Sequence, residues 1–134
     1  MLSHASVLGA VPDDEFARIR DQILALDLGV TTLPAANPYI QGRGQEVLPP
    51  RGLTRVAPLA RAGVKIATAS DNIQDPFIPT GSGNILEIAR WTPLAGHLHA
   101  GELPVTFGMV TDAAAELLGS GADYGLRPGV VRIW

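Results

Sequence analysis

Residues 67–77 read ATASDNIQDPF, and the way this apolar run breaks into polar residues decides the fold. The lead-in, Val64-Lys65-Ile66-Ala67-Thr68-Ala69, is short, partly β-branched and preceded by Ala62-Gly63, which predicts a buried strand. Ser70-Asp71-Asn72 then falls at the strand's carboxyl end, with Asp75-Pro76 just beyond. In α/β folds that edge gathers ligands and catalysis, because strand ends are rigid and the loops after them vary freely. Asp71 is therefore either a turn or helix cap or a working carboxylate.

Working outward, the elements alternate. Met1–Gly9 predicts a short strand carrying His4, and Pro12-Asp13-Asp14-Glu15 opens a helix, since proline and acids both suit a first turn. Phe16, Ile19, Ile23, Leu24 and Leu26 follow at helical spacing, giving an amphipathic helix over 13–27 that Gly29 closes. Val30–Leu33 predicts a second strand, followed by a long Gly- and Pro-rich loop over 38–52. A second helix over 54–62, with Pro58 tolerated near its first turn, returns the chain to the strand at 64–69. Strand, helix, strand, helix, strand implies parallel pairing with right-handed crossovers. Beyond it, 84–95 and 105–118 predict helices, and 130–134 a terminal strand. A composition shift near Gly119–Gly121 suggests a boundary, with residues 1–119 in one unit and 120–134 opening another.

Composition excludes several classes of function. The chain has 134 residues, 46% of them apolar, and a net charge of −3, enough for one packed domain. Nine arginines and one lysine are scattered along it and form no basic face, which argues against nucleic-acid or membrane-surface partners. No apolar run approaches the roughly 20 residues that span a bilayer, and no charged and apolar leader opens the chain. A soluble, cytoplasmic protein is expected. The absence of cysteine removes disulfides, thiolate metal sites and cysteine nucleophiles together.

Each chemical candidate has a plain structural alternative. His4 can be a packed histidine or a site residue. Asp75-Pro76 reads first as a turn. Gln41-Gly42-Arg43 can be a solvated loop, or Arg43 can clamp an anion. His97 and His99 suggest a metal pair but lack a third donor at ligand spacing, so a surface loop is the simpler reading. Gly81-Ser82-Gly83 has no following lysine for a phosphate loop, and Ser70 lacks the G-x-S-x-G elbow of serine hydrolases.

Taken in order, however, Ser3-His4, Pro34-Ala35-Ala36-Asn37-Pro38-Tyr39-Ile40-Gln41-Gly42-Arg43, Arg51-Gly52-Leu53-Thr54-Arg55-Val56 and Ser70-Asp71-Asn72-Ile73-Gln74-Asp75-Pro76-Phe77, extended by Asp123-Tyr124-Gly125, resemble the carboxyl-terminal half of bacterial cytosine deaminases of the amidohydrolase superfamily. The resemblance implies an α/β fold: strands six to eight of a (β/α)8 barrel, with the start of a small β-sandwich at the chain's end. It implies one divalent metal, zinc or iron, at the barrel mouth. Asp71 would touch that metal and take a proton from its water, and His4 would point at the same water or at the tetrahedral intermediate. Asn72, Phe77 and Gln41 are expected to face the same mouth as contacts of a small heterocyclic substrate. Asn72 stands where these deaminases usually carry a second aspartate and Phe77 where they carry tryptophan, so the ring expected is an aminated relative of cytosine or an N-substituted ring.

A closed barrel of this kind takes about 250 residues. The family's paired histidines of strand one, and its strand-five histidine with a following glutamate, have no counterpart before His4. The chain is thus expected to be a piece of a metal-dependent hydrolase, inactive alone, that self-associates or joins the missing half. The alternative is a non-catalytic half-barrel with a packing or assembly role.

Overall fold

A computed structural model describes residues 1–120 together with Tyr124 and Gly125. Three short strands, β1 (Leu2–Ser3), β2 (Val30–Thr32) and β3 (Ile66–Thr68), form one sheet in the order β1-β2-β3. Both pairings are parallel, with Ser3 beside Thr31 and Thr31 beside Ala67. Parallel neighbours need a crossover. Helix α1 (Asp13–Ala25) supplies it between β1 and β2, while α2 (Ala36–Ile40) and α3 (Val56–Arg61) lie between β2 and β3.

Side chains alternate across a strand, and one face of this sheet builds the core. Val30 and Ile66 pack with Leu8, Phe16, Ile23, Val56, Leu59 and Met109, and Val30, Val56 and Leu59 are fully buried. Ser3, Thr31 and Ala67 fall on the other face, where only small side chains stand. A second, smaller cluster of Leu33, Ala36 and Ile78 sits under the loops that leave β2 and β3.

Several elements differ from the sequence reading. The first strand stops at Ser3 instead of running through Gly9, because His4 and Ala5 take left-handed backbone conformations (φ 61° and 48°) and Ser6–Gly9 coils into a 3-10 turn. Helix α1 is closed by Asp27 (φ 48°), whose neighbour Leu28 donates its amide to Ile23. Gly29 has another role: a Cβ there would lie 2.0 Å from a Leu117 methyl, so its bareness lets the helix that ends at Leu117 approach. The loop expected over 38–52 begins inside α2.

After α4 (Ile85–Gly96), capped by the Asn84 side-chain oxygen Oδ1 accepting from the amides of Leu86 and Glu87, comes the largest difference. The single helix expected over 105–118 is two, α5 (Leu103–Gly108) and α6 (Asp112–Leu117). The break has a cause in the sheet. Thr68 on the outer edge of β3 donates its amide to the Met109 carbonyl at 3.0 Å, a bond an unbroken helix would have withheld. The Thr111 hydroxyl holds the break by donating to the Phe107 carbonyl. The expected terminal strand, Asp123 and the β-sandwich segment lie outside the described residues, Tyr124 and Gly125 apart. No helix among the described residues is long and apolar enough to cross a membrane.

Candidate active site at the carboxyl ends of the strands

His4 and Asp71 leave the sheet at the same edge, each just past the carboxyl end of a parallel strand. Since β1 and β3 flank β2, those strand ends are two strand spacings, about 10 Å, apart. Both residues have left-handed backbone, φ 61° at His4 and 64° at Asp71. Non-glycine residues adopt that conformation at a cost, and it collects where geometry serves a site.

His4 is half-buried, and its Nδ1 lies 3.0 Å from Oδ1 of Asn37. Asn37 is fully buried in α2, fixed along its backbone by an amide bond to the Leu33 carbonyl and by accepting the Gln41 amide. The residue after β1 and the loop after β2 are therefore tied together by side chains.

The loop after β3 is organised by Asp75. One of its carboxylate oxygens accepts the amides of Phe77 and Ile78, both at 2.9 Å, and the other accepts from the Asn72 side-chain amide. These bonds, that from Ile78 foremost, hold the Asp75 carboxyl below the usual carboxylate range. Asp75 is thus the turn former the bland reading expected. Asn72 is engaged with it, and Ile78 anchors the loop in the smaller cluster. Asp71 itself is exposed at the loop's start, and Phe77 is 63% exposed on its far side. Phe77 is no core residue.

Gln41 is exposed, and its Cβ and Cγ lie over Gly52, where a Cβ would come within 2.3 Å of both. Gln41 has no contact with His4 or Asp71 through a hydrogen bond. Arg43 stacks on Tyr39, 4.4 Å from the ring centre, and donates from Nε to the Tyr39 carbonyl. A cleft of about 430 Å³ between the loops after β2 and β3 is lined by Pro34, Tyr39, Ile78, Ser82, Glu87 and Trp91 among others. Its lining adjoins the Asp75 turn without including His4 or Asp71.

His97 and His99 belong elsewhere. His97 Nε2 meets the Arg51 guanidinium, while His99 caps a 3-10 turn with Glu102. Glu102 is gripped by Arg61 through two bonds of 2.8 and 2.9 Å, which hold its pKa down at about 2. Among the described residues no three histidines or acids converge as a metal would require. The bond between His4 and Asn37 was not foreseen. Asn37 was visible within the P-A-A-N segment, but nothing in the sequence pairs it with a histidine 33 residues earlier.

Open α/β sheets with strained polar residues at their carboxyl edge define a class of ligand-binding and catalytic folds, and comparison narrows the class. The chain belongs to the amidohydrolase family, whose model matches residues 1–131. It is 32% identical to a pterin deaminase of Rhizobium rhizogenes over 131 residues, covering 97% of this chain and 28% of that protein. Among solved structures it resembles the 5-methylcytosine deaminase of Klebsiella pneumoniae bound to 5-fluorocytosine, with a TM-score of 0.89 and 34% identity over 96% of this chain and 31% of that one. It also resembles the N-isopropylammelide isopropylaminohydrolase of Burkholderia multivorans, with a TM-score of 0.76 and 28% identity over 96% and 30%. The chain spans about three-tenths of the length of these relatives. The resemblance to deaminase-like amidohydrolases drawn from the ordered motifs agrees with all of them.

Proposed function

We propose that this chain supplies one side of the catalytic mouth of a hydrolase that removes an amine from a carbon of a heterocyclic ring. In this reading β1, β2 and β3 are the sixth to eighth strands of a (β/α)8 barrel, residues 1–119 belong to that barrel, and 120–134 open a small β-sandwich. The observation that carries it is the placement of His4 and Asp71, both in left-handed backbone and both at the carboxyl ends of parallel strands. The relatives, a pterin deaminase, a 5-methylcytosine deaminase and an N-isopropylammelide isopropylaminohydrolase, support C–N hydrolysis on a nitrogen-rich ring. They span enough rings that cytosine itself is one candidate of several.

The residue roles follow from their chemistry. Water adds to the ring carbon bearing the amine; Asp71 takes the proton that water gives up and delivers it to the departing nitrogen, which leaves as ammonia or an amine. His4 directs a ring nitrogen at the attacking oxygen. Asn72, Phe77 and Gln41 contact the substrate, Phe77 as an exposed aromatic face. Asp71 is also the metal ligand this chain contributes. The described residues do not by themselves fit zinc or iron, since catalytic zinc takes three protein ligands and no such group converges here. The other donors would come from outside the chain. The cysteine-free composition suits a cytoplasmic location, which belongs to the same proposal.

A second reading, a non-catalytic half-barrel, draws on the exposed outer edge of β1, where Met1 and Leu2 are 63% and 38% accessible. Such an edge invites pairing, with further barrel strands or with another copy of the chain. One experiment separates the readings. The chain is assayed alone and co-expressed with the portion of the Klebsiella 5-methylcytosine deaminase that it does not match, with zinc or iron(II) added, following ammonia release from cytosine, 5-methylcytosine and pterin. Turnover in the pair, absent from the chain alone and lost in Asp71→Ala, is the expected result. A folded, metal-loaded pair without turnover on any amine would favour the half-barrel.

A further inference from the structure

The contact between His4 and Asn37 carries more than a packing role. His4 Nδ1 lies 3.0 Å from the Asn37 amide oxygen, and an amide oxygen can only accept a hydrogen bond. With the amide placed so that its oxygen faces the ring, the proton of the neutral imidazole sits on Nδ1, which leaves Nε2 with its lone pair. Asn37 cannot easily yield this position. It is fully buried, its backbone is bonded on both sides to Leu33 and Gln41, and its carbonyl lies 3.3 Å from where a Cβ on Gly52 would stand. Its side-chain nitrogen is buried with no hydrogen-bond partner. Retaining an orphaned buried donor is destabilising, so an aliphatic residue of similar size would suit packing better. What asparagine adds here is the acceptor facing His4.

We propose that Asn37 is a positioning residue that fixes His4 in its Nδ1-protonated tautomer, so that Nε2 faces the site as a hydrogen-bond acceptor and base. This rests on the functional reading above for its purpose, but the tautomer itself is a property of this chain alone. An acceptor nitrogen suits a group that must take a hydrogen bond from an attacking water. The opposite tautomer would present a donor to the water's lone pair, the pair that must attack the ring carbon.

The test is nitrogen-15 NMR of the histidine rings in the chain, at a pH where they are neutral. The chain has three histidines, and a His4→Gln variant assigns the signal of interest. The wild-type ring is expected to show a protonated Nδ1 and a bare Nε2. Asn37→Asp, which keeps an acceptor, should preserve that pattern. Asn37→Leu, with its backbone amide spectrum otherwise unchanged, should lose it to a mixture of tautomers. A wild-type ring protonated on Nε2 overturns the proposal, and so does a folded Leu variant that keeps the wild-type pattern. Should Asn37→Leu fail to fold, the wild-type and Asp spectra still decide, because an Nε2-protonated ring in either contradicts the assignment. An Nδ1-protonated His4 in an enzyme whose turnover survives His4→Gln would leave this inference standing and overturn the functional reading.

Discussion

The two ends of β2 and its neighbours are built on opposite rules. Toward the helices, Val30, Ile66, Val56 and Leu59 fill a dry layer in ordinary backbone conformations, with three of the four fully buried. At the carboxyl edge, His4, Ala5 and Asp71 stand in left-handed backbone, and Asp71 is exposed. One region gains stability from packing, and the other holds conformations that cost stability. Left-handed backbone also closes α1 at Asp27, so what sets the carboxyl edge apart is that conformation on His4 and Asp71 at the ends of parallel strands.

The contrast can be broken most sharply by mutation at each end. In the completed enzyme, Asp71→Asn, which keeps a residue that tolerates left-handed backbone, is expected to lower kcat by about 10²–10⁴-fold, while the unfolding free energy of the chain changes by no more than about 0.5 kcal/mol, as for other exposed positions. A comparable loss of stability would make Asp71 a turn former. Leu59→Ala should do the reverse, costing about 2–5 kcal/mol in denaturant unfolding. A cost below about 1 kcal/mol would mean the helix-facing layer is loosely packed. Smaller again is Ala5→Gly, which relieves a left-handed alanine (φ 48°) and should stabilise the chain by up to about 1 kcal/mol, since strain relief outweighs the added freedom of the unfolded glycine. Destabilisation would show that the turn after His4 is unstrained.

The smallest effect is electrostatic and lies far from the mouth. The Arg61 guanidinium lowers the Glu102 pKa from 4.5 to about 2. A depressed carboxyl stabilises the fold above its unfolded value, and that stabilisation is lost as pH falls from about 4.5 toward about 2. Arg61 is half-exposed, so the gain is modest. Glu102→Gln should flatten the acid limb of a plot of unfolding midpoint against pH, and an unchanged limb would mean the pair is solvent-screened.

Local chemistry made much of this readable in advance. The acids at 13–15 begin α1, the β-branched runs at 30–32 and 66–68 are strands, and Asp75-Pro76 is a turn. What sequence could not show was long-range. The split between α5 and α6 presents the Met109 carbonyl to the Thr68 amide, over 40 residues earlier, although Gly108 and Thr111-Asp112 supply local stop and start signals at that place. Likewise Ser3-His4 continues as Ala-Ser-Val-Leu, a sequence with no glycine to announce a left-handed turn, so the strand was read too long. The motif order pointed to Asp71 and His4 as site residues, while the Asn37 contact depended on folding the loop after β2 across the end of β1.

The central claim is that His4 and Asp71 open onto one mouth, and the cysteine-free chain allows it to be measured cleanly. A His4→Cys, Asp71→Cys double variant is treated with a bifunctional thiol reagent that spans about 10 Å, two strand spacings. A His4→Cys, Asp27→Cys pair serves as control, because Asp27 precedes β2 and pairs with Lys65 at the opposite end of the sheet. The account predicts rapid cross-linking within single chains for the first pair and little for the second. Cross-linking of Asp71 no faster than that of Asp27 would contradict it.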